Sequence, residues 1–222
     1  MCLLSYHPLE GGPVFTSNRD ISIHRPAAGL VQAHAYLDKK LHFPMDHRGG
    51  SWMAHDQGRM IFLLNGYAQA PTQIENKGRS RGLILLDLFA SEGFSQVWES
   101  ILLAGVEPFT IVFHDGTVLM ELGWDGVEKH ARSCDPEKPQ LWMSSTLYHD
   151  EDRSRIGALY TAMELPDKRR LLRFNQENNY ASIKLPAEKV PEVETTSIYQ
   201  LYHEGGRIIH TESTLDERME EV

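Results

Sequence analysis

The chain has 222 residues, of which 41% are hydrophobic and 24% are charged, as in an ordinary globular protein with room for one substantial core. Its formal net charge of −9, with no basic stripe, argues against a nucleic-acid binder. The chain has only two cysteines, no signal peptide and no apolar run of transmembrane length. We therefore expect no disulfide framework, no membrane span and a reducing, cytoplasmic location.

The first predicted element is a β-hairpin at the start of the chain. Residues 2–8 and 13–17 are rich in strand-forming residues, and the turn between them contains Gly11 and Gly12. If the chain reverses at Glu10-Gly11, the numbers of cross-strand partners sum to about 21. This register predicts that Cys2 lies opposite Arg19.

Cys2 is the candidate nucleophile. Removal of Met1 would leave a thiol and an α-amine on one residue, and these groups titrate at about 8.5 and about 8 in peptides. Proton exchange between them could form the reactive thiolate. A cation such as Arg19 would favour the thiolate, and a carboxylate such as Asp20 could hold the amine. The alternatives are a small buried hydrophobic residue or an acylation site, although no basic or amphipathic flank supports an anchor.

The rest of the chain predicts further hairpins and two helical pairs. The predicted hairpins join residues 50–54 with 59–65, 109–113 with 118–122, and 196–202 with 207–211. The predicted helices cover residues 80–91, 95–103, 152–163 and 167–175. Two segments, 127–131 and 140–144, are expected to extend the sheet of the middle hairpin. Residues 42–47 and 186–194 are expected to be loops.

Hairpins on either side of helical pairs predict an α+β fold, in which helices cover antiparallel sheets. No linker-like stretch divides the chain, so we expect a single domain over residues 1–222. The histidines are scattered and no phosphate-binding glycine loop is present, so we expect neither a metal nor another cofactor. Cys134 is expected to be inert, and Trp52 is most simply a core or sheet residue.

A series of short motifs, in order along the chain, resembles one known family. Met1-Cys2, Ser17-Asn18-Arg19-Asp20 and Arg25-Pro26 resemble the start of the NRDE family, which is also named for transport and Golgi organisation protein 2. Further motifs that resemble those of the family are Gly49-Gly50-Ser51-Trp52, Leu64-Asn65-Gly66-Tyr67, Ser80-Arg81-Gly82-Leu83, Phe109-Thr110-Ile111 and residues 143–147. The resemblance implies a four-layer αββα sandwich of the N-terminal nucleophile hydrolases, related to choloylglycine and penicillin V acylases.

The resemblance also implies roles for matching positions. Cys2 would attack an amide or other acyl carbon, and Arg19 and Asp20 would orient and polarise its two reactive groups. Asn65 would donate a side-chain N–H to the tetrahedral oxyanion. The candidates for substrate binding are Asn18, Trp52, Ser145 and Arg153.

The chain departs from the family pattern at three positions. Ile21 replaces the glutamate of the family's name, Ser145 replaces an asparagine, and Glu194 stands where a basic residue is common. The nucleophile is thus retained while part of the substrate shell is altered.

Two functions from different classes are consistent with these features. The first is a cysteine N-terminal nucleophile hydrolase-like protein that acts on a small amide, thioester or other acyl compound. The second follows from the family's links with organelle homeostasis, haem mobilisation and lipid metabolism. It is a non-catalytic binding or trafficking protein for an apolar ligand such as haem or a lipid metabolite.

Overall fold

A computed structural model of the chain describes residues 3–68, 78–180 and 193–213. The chain forms two compact units. The terminal unit combines Met1–Arg25 with Glu137–Val222, and the central unit is Pro26–Pro136. This division does not test whether the two units belong to one domain, so the expectation of a single domain stays a prediction.

The described residues form twelve strands and four helices. The strands are β1 (Leu3–Leu9), β2 (Gly12–Ser22), β3 (Val31–Tyr36), β4 (Lys39–Pro44), β5 (Met53–His55), β6 (Met60–Asn65), β7 (Phe109–His114), β8 (Leu119–Trp124), β9 (Lys129–Cys134), β10 (Gln140–Met143), β11 (Val193–Glu204) and β12 (Arg207–Ser213). The helices are α1 (Arg81–Ala90), α2 (Phe94–Ser100), α3 (Asp150–Thr161) and α4 (Lys168–Glu177). None of the described helices is long and apolar enough to span a membrane.

The terminal unit is an antiparallel sheet with two helices on one face. Its strand order is β10-β1-β2-β11-β12, so β2 lies at the centre. Helix α4 begins after the N-cap Asp167, whose side chain accepts a hydrogen bond from the amide of Arg170 at 2.7 Å. Its apolar face packs with Leu3, Val14 and Ile156 through Leu171 and Phe174.

The first hairpin has the register that the sequence predicts. Leu3 pairs with Asn18 and Leu9 pairs with Gly12, with no shift between them. Gly12 has a φ of 112°, a backbone conformation that a residue with a Cβ rarely adopts. The glycine turn therefore fixes which residues of β1 and β2 face each other.

The central unit is a meander of seven antiparallel strands in the order β3-β4-β5-β6-β7-β8-β9. Side chains alternate between the two faces of this sheet. Ile61, Leu63 and Ile111 face helix α1 and pack with its Leu85 and Leu88. This face and the helices form the apolar core of the unit.

The predicted helices are all present, although the second ends at Ser100 rather than at residue 103. Two expectations about strands are wrong. Residues 140–143 form β10, which pairs with β1 of the terminal sheet through Leu3 and Met143, instead of extending the sheet of the central unit. Residues 42–44 belong to β4 and are not part of a loop. Most of the loop expected at 186–194 lies outside the described residues, and residues 193 and 194 begin β11.

The β3–β4 hairpin escaped prediction because its turn contains no glycine. The turn lies between Tyr36 and Lys39, and Leu37 adopts a φ of 49° there. A bulky residue with positive φ is uncommon, so the sequence carries no turn signal at this point.

Candidate functional site

Asn18, Arg19 and Asp20 lie in β2, the central strand of the terminal sheet. Their exposed fractions are 0%, 5% and 3%. Charged side chains are rarely buried this deeply without partners, so Arg19 and Asp20 are expected to have polar partners. Because side chains alternate along a strand, Asn18 and Asp20 share the helix-covered face and Arg19 faces the other way.

Cys2 lies outside the described residues. Its proximity to Arg19 therefore stays a prediction. The described register ends at the pair of Leu3 and Asn18, one residue short of this position.

Asn18 binds helix α4 rather than presenting its amide to a cavity. Its Nδ2 donates to the carbonyl of Asn175 at 3.0 Å, and its Oδ1 accepts from Asn175 Nδ2 at 2.9 Å. Asn175 Oδ1 also accepts from the hydroxyl of Ser5 at 2.9 Å. The pair joins β1, β2 and α4, so a substrate contact by Asn18 would require this buried network to open.

The carboxylate of Asp20 is held by two hydroxyl groups. Thr195 Oγ1 donates to Asp20 Oδ1 at 2.5 Å, and the Tyr148 hydroxyl donates to Asp20 Oδ2 at 3.2 Å. The same Thr195 oxygen accepts a hydrogen bond from the amide of Tyr180 at 3.2 Å. Hydrogen bonds to both oxygens fix the orientation of the carboxylate.

Arg19 is next to a bulge in β11. Thr195 pairs with Asp20 and Ser197 pairs with Arg19, so Thr196 is an extra residue in the ladder. The Thr196 hydroxyl donates to the backbone carbonyl of Arg19 at 3.2 Å and accepts from Arg19 Nη1 at 3.5 Å. The hydroxyl therefore connects the main chain of Arg19 to its own guanidinium group.

Asn65 and Trp52 belong to the central unit. Asn65 is half-buried at the end of β6, on the same face as Ile61 and Leu63. Trp52 is buried, and its carbonyl accepts from the amide of Leu63 at 2.8 Å. The motif that contains Trp52 touches helix α1, because the amide of Ser51 donates to the carbonyl of Gly82 at 3.4 Å.

The backbone that follows Asn65 is fixed at several points. Gly66 has a φ of 79°; its amide donates to the carbonyl of Pro108 at 2.9 Å, and its carbonyl accepts from Thr110 Oγ1 at 2.8 Å. Arg81 Nη1 donates to the same Pro108 carbonyl at 3.1 Å. A side chain at position 65 would therefore be presented from a rigid strand end.

The ring of Tyr67 occupies the place above Gly123 where a side chain would otherwise stand. A Cβ at Gly123 would overlap this ring, which stacks on His130 with a centroid separation of 4.9 Å. His130 Nε2 lies 2.7 Å from Asp125 Oδ2. Hydrogen bonds from the amide of Glu128, from His130 and from the amide of Val127 lower the pKa of Asp125 to about 2.

The two remaining candidates are in the terminal unit. Ser145 is half-buried in the turn that follows β10. Arg153 lies on α3, with its Nη1 4.0 Å from Asp150 Oδ1. Neither makes a described contact with Arg19 or Asp20 that would establish a shared site.

Two further expectations concern Cys134 and metal binding. Cys134 is a buried free cysteine, and burial raises the pKa of its thiol, as expected for an inert residue. Within residues 3–68, 78–180 and 193–213, no group of three or more His, Cys, Asp or Glu side chains could hold a metal ion.

Sequence reasoning missed the partners of Asn18, Arg19 and Asp20, namely Asn175, Thr196, Thr195 and Tyr148. The run Thr195-Thr196-Ser197 is the one local signal, because consecutive hydroxyl residues next to a strand can bind neighbouring main chain. The bulge that gives them separate partners has no recognisable sequence pattern here.

Comparison with known proteins assigns the family. The sequence profile of the family described as Transport and Golgi organisation 2 matches residues 1–145, more than half of the chain. The chain belongs to this family. No match was found among curated protein sequences.

Solved structures are similar in fold at very low sequence identity. Penicillin V acylase from Agrobacterium tumefaciens is 8% identical, with a TM-score of 0.50 over 98% of this chain and 87% of that one. The C2A mutant of conjugated bile acid hydrolase from Clostridium perfringens is 12% identical, with a TM-score of 0.47 over 97% and 94% of the two chains. In the part of the chain that the structure describes, two antiparallel sheets and four helices form an α+β fold similar to that of penicillin V acylase, as the family resemblance implies.

Proposed function

We propose that this member of the Transport and Golgi organisation 2 family is a cysteine N-terminal nucleophile hydrolase that acts on a small amide, thioester or other acyl compound. The observation that carries the proposal is the pairing of Leu3 with Asn18. Extending this register by one residue would put Cys2 opposite Arg19, and cross-strand partners share a face of the sheet. The Cys2 thiol and the buried guanidinium would then be neighbours.

The same register supports a role for Asp20. Position 1 would lie opposite Asp20, so removal of Met1 would leave the α-amine of Cys2 beside this residue. A carboxylate that Thr195 and Tyr148 already orient is a suitable partner for an ammonium group. Arg19 and Asp20 would therefore stabilise the thiolate and the ammonium form of the same residue.

The chemistry proceeds in two displacements at the acyl carbon. In the first, the Cys2 thiol transfers its proton to the α-amine and the sulfur forms a bond with the acyl carbon, which gives a tetrahedral oxyanion. The oxyanion collapses as the bond to the amine, alcohol or thiol leaving group breaks, and the ammonium returns the proton to that group. Water then attacks the thioester, which releases the acid and regenerates the Cys2 thiol. Asn65 is our candidate oxyanion donor, and loss of one such donor commonly lowers the rate by about 10²–10³.

An electrophilic acyl probe tests the proposal. We expect the wild-type protein to form a thioester at Cys2, located by peptide mass mapping, and Cys2→Ala to abolish it. Cys134→Ala is the matched control and should label as the wild type does, because Cys134 is buried and its thiol pKa is raised. Labelling that persists in Cys2→Ala would contradict the proposal. Haem binding that survives Cys2→Ala, with no acylation of the wild type, would favour the binding function instead.

A further inference from the structure

The bulge in β11 presents two consecutive hydroxyl groups to two consecutive charged residues. Thr195 pairs with Asp20, and the next pair along the ladder joins Ser197 to Arg19. In an uninterrupted strand, alternate residues would face the two sides, and Thr196 itself would occupy the position opposite Arg19. The extra residue leaves Thr196 unpaired in the ladder and turns its hydroxyl back towards Arg19.

The hydrogen-bond direction at Thr195 is determined by its two partners. A hydroxyl group carries one proton, and an amide can only donate. Thr195 Oγ1 accepts from the amide of Tyr180, so its proton is available for Asp20 Oδ1 at 2.5 Å. Thr195 is buried, which strengthens this charge-assisted bond. Thr195 therefore fixes one oxygen of the carboxylate.

Thr196 acts on Arg19 in a different way. Its hydroxyl spans the carbonyl and the Nη1 atom of Arg19, at 3.2 and 3.5 Å. A long arginine side chain has many rotamers and loses entropy when it is fixed, so a hydroxyl that contacts the guanidinium helps to keep this charge in one place.

We propose that Thr195 and Thr196 are positioning residues, Thr195 for Asp20 and Thr196 for Arg19. The inference rests on the proposed function, in which Asp20 holds the α-amine of Cys2 and Arg19 stabilises its thiolate. In this arrangement, each threonine controls the titration of one of the two reactive groups of Cys2. A bulge with a merely structural role would affect both groups alike or neither.

Two pH profiles at Cys2 test whether each threonine affects only one of these two groups. The thiol is followed by the rate of iodoacetamide alkylation, and the amine by thiazolidine formation with formaldehyde, each located at the N-terminal peptide by mass spectrometry. Thr196→Val should raise the midpoint of the alkylation profile by about half a pH unit, because a thiol without a fixed cation ionises less readily. Thr195→Val should lower the midpoint of the condensation profile by a similar amount, because a loosened carboxylate favours the ammonium less.

The control variants separate a positioning effect on Arg19 or Asp20 from a general loosening of the structure. Thr195→Ser and Thr196→Ser keep the hydroxyls and should restore the wild-type midpoints. Thr161→Val removes a hydroxyl that binds the Gly157 carbonyl on exposed α3, and it should change neither profile. If Thr195→Val does not fold, Tyr148→Phe removes the other hydroxyl on Asp20 without touching the bulge and should lower the same condensation midpoint.

The outcomes distinguish the inference from the proposed function. A wild-type protein that forms no thiazolidine at Cys2 would refute the proposed function and the inference with it. A wild-type protein that reacts, with unchanged midpoints in the folded valine variants, would refute the inference alone. Equal shifts of both profiles in each valine variant would also overturn it, since the two threonines would then have no separate targets.

Discussion

Gly82 and Gly157 are both helical glycines, and their surroundings predict opposite effects of alanine. Gly82 is the second residue of α1, and a Cβ there would lie 2.8 Å from the carbonyl oxygen and 2.9 Å from the amide nitrogen of Ser51. Both atoms belong to the backbone and cannot rotate away. Gly157 is inside α3, and a Cβ there would have no atom within 4 Å.

The magnitudes follow from two competing terms. Glycine to alanine inside a helix gains up to about 1 kcal/mol from backbone entropy. Overpacking a tight contact costs about 1–3 kcal/mol, and here it separates the Ser51 motif from the start of α1. We expect Gly82→Ala to lower the free energy of unfolding by about 1–2 kcal/mol, since overpacking outweighs the helix propensity. Gly157→Ala should raise it by about 0.5–1 kcal/mol, because only the propensity term operates.

Urea denaturation of the two variants and the wild type, followed by circular dichroism, measures both effects in one series. The slopes against urea should agree among the three proteins, so that the midpoints report stability alone. If Gly82→Ala were as stable as Gly157→Ala, the close approach of Gly82 to Ser51 would not be a real constraint.

Three other changes probe individual contacts within the two units. Gly123→Ala should displace the Tyr67 ring and lower the free energy of unfolding in urea by about 1–3 kcal/mol. In a Tyr67→Ala background this loss of stability should largely vanish. An equal loss in both backgrounds would show that the Tyr67 ring does not fill the space above Gly123. Asn175→Ala should cost about 3 kcal/mol or more in the same assay, because it removes three buried side-chain hydrogen bonds, namely those to the Ser5 hydroxyl, to the Thr16 carbonyl and to Asn18 Oδ1. A change below about 1 kcal/mol would mean that the network does not hold α4. The depressed pKa of Asp125, about 2, predicts that its carboxylate contributes stability above its unfolded value of about 3.9 and loses this as the pH falls through about 2. Carboxyl NMR should show Asp125 still ionised at pH 3 in the wild type, and a higher titration midpoint of this carboxyl in His130→Ala. A wild-type midpoint in the ordinary range of aspartate would contradict the effect of the hydrogen bonds from Glu128, His130 and Val127.

The first hairpin could be predicted because its information is local. Gly11 and Gly12 mark the turn, and the turn fixes every pair from Leu9 to Leu3. The same local logic failed at Leu37, where a leucine adopts a glycine-like φ, and the β3–β4 hairpin was missed. It also failed for β10, because a short strand can pair with the edge of either sheet and its own sequence does not select one.

The charged residues of the candidate site could be picked out from sequence, but their environment could not. Arg19 and Asp20 are adjacent in a recognisable motif, whereas the partners of Asp20 are 128 and 175 residues further along the chain. Alternation within β2 indicates that Asp20 and Arg19 face opposite sides, yet it does not say which side the helices cover. Only the tertiary structure shows that Asn18 binds α4 and that Thr196 turns towards Arg19.

The central claim is that Cys2 becomes a free N-terminal residue with a reactive thiol and amine. Mass spectrometry of the N-terminal peptide from purified protein tests this most directly. We predict that the peptide begins at Cys2 in essentially all molecules. Retention of Met1 in essentially all molecules would contradict the account, because the α-amine would then be part of a peptide bond and could not accept the thiol proton.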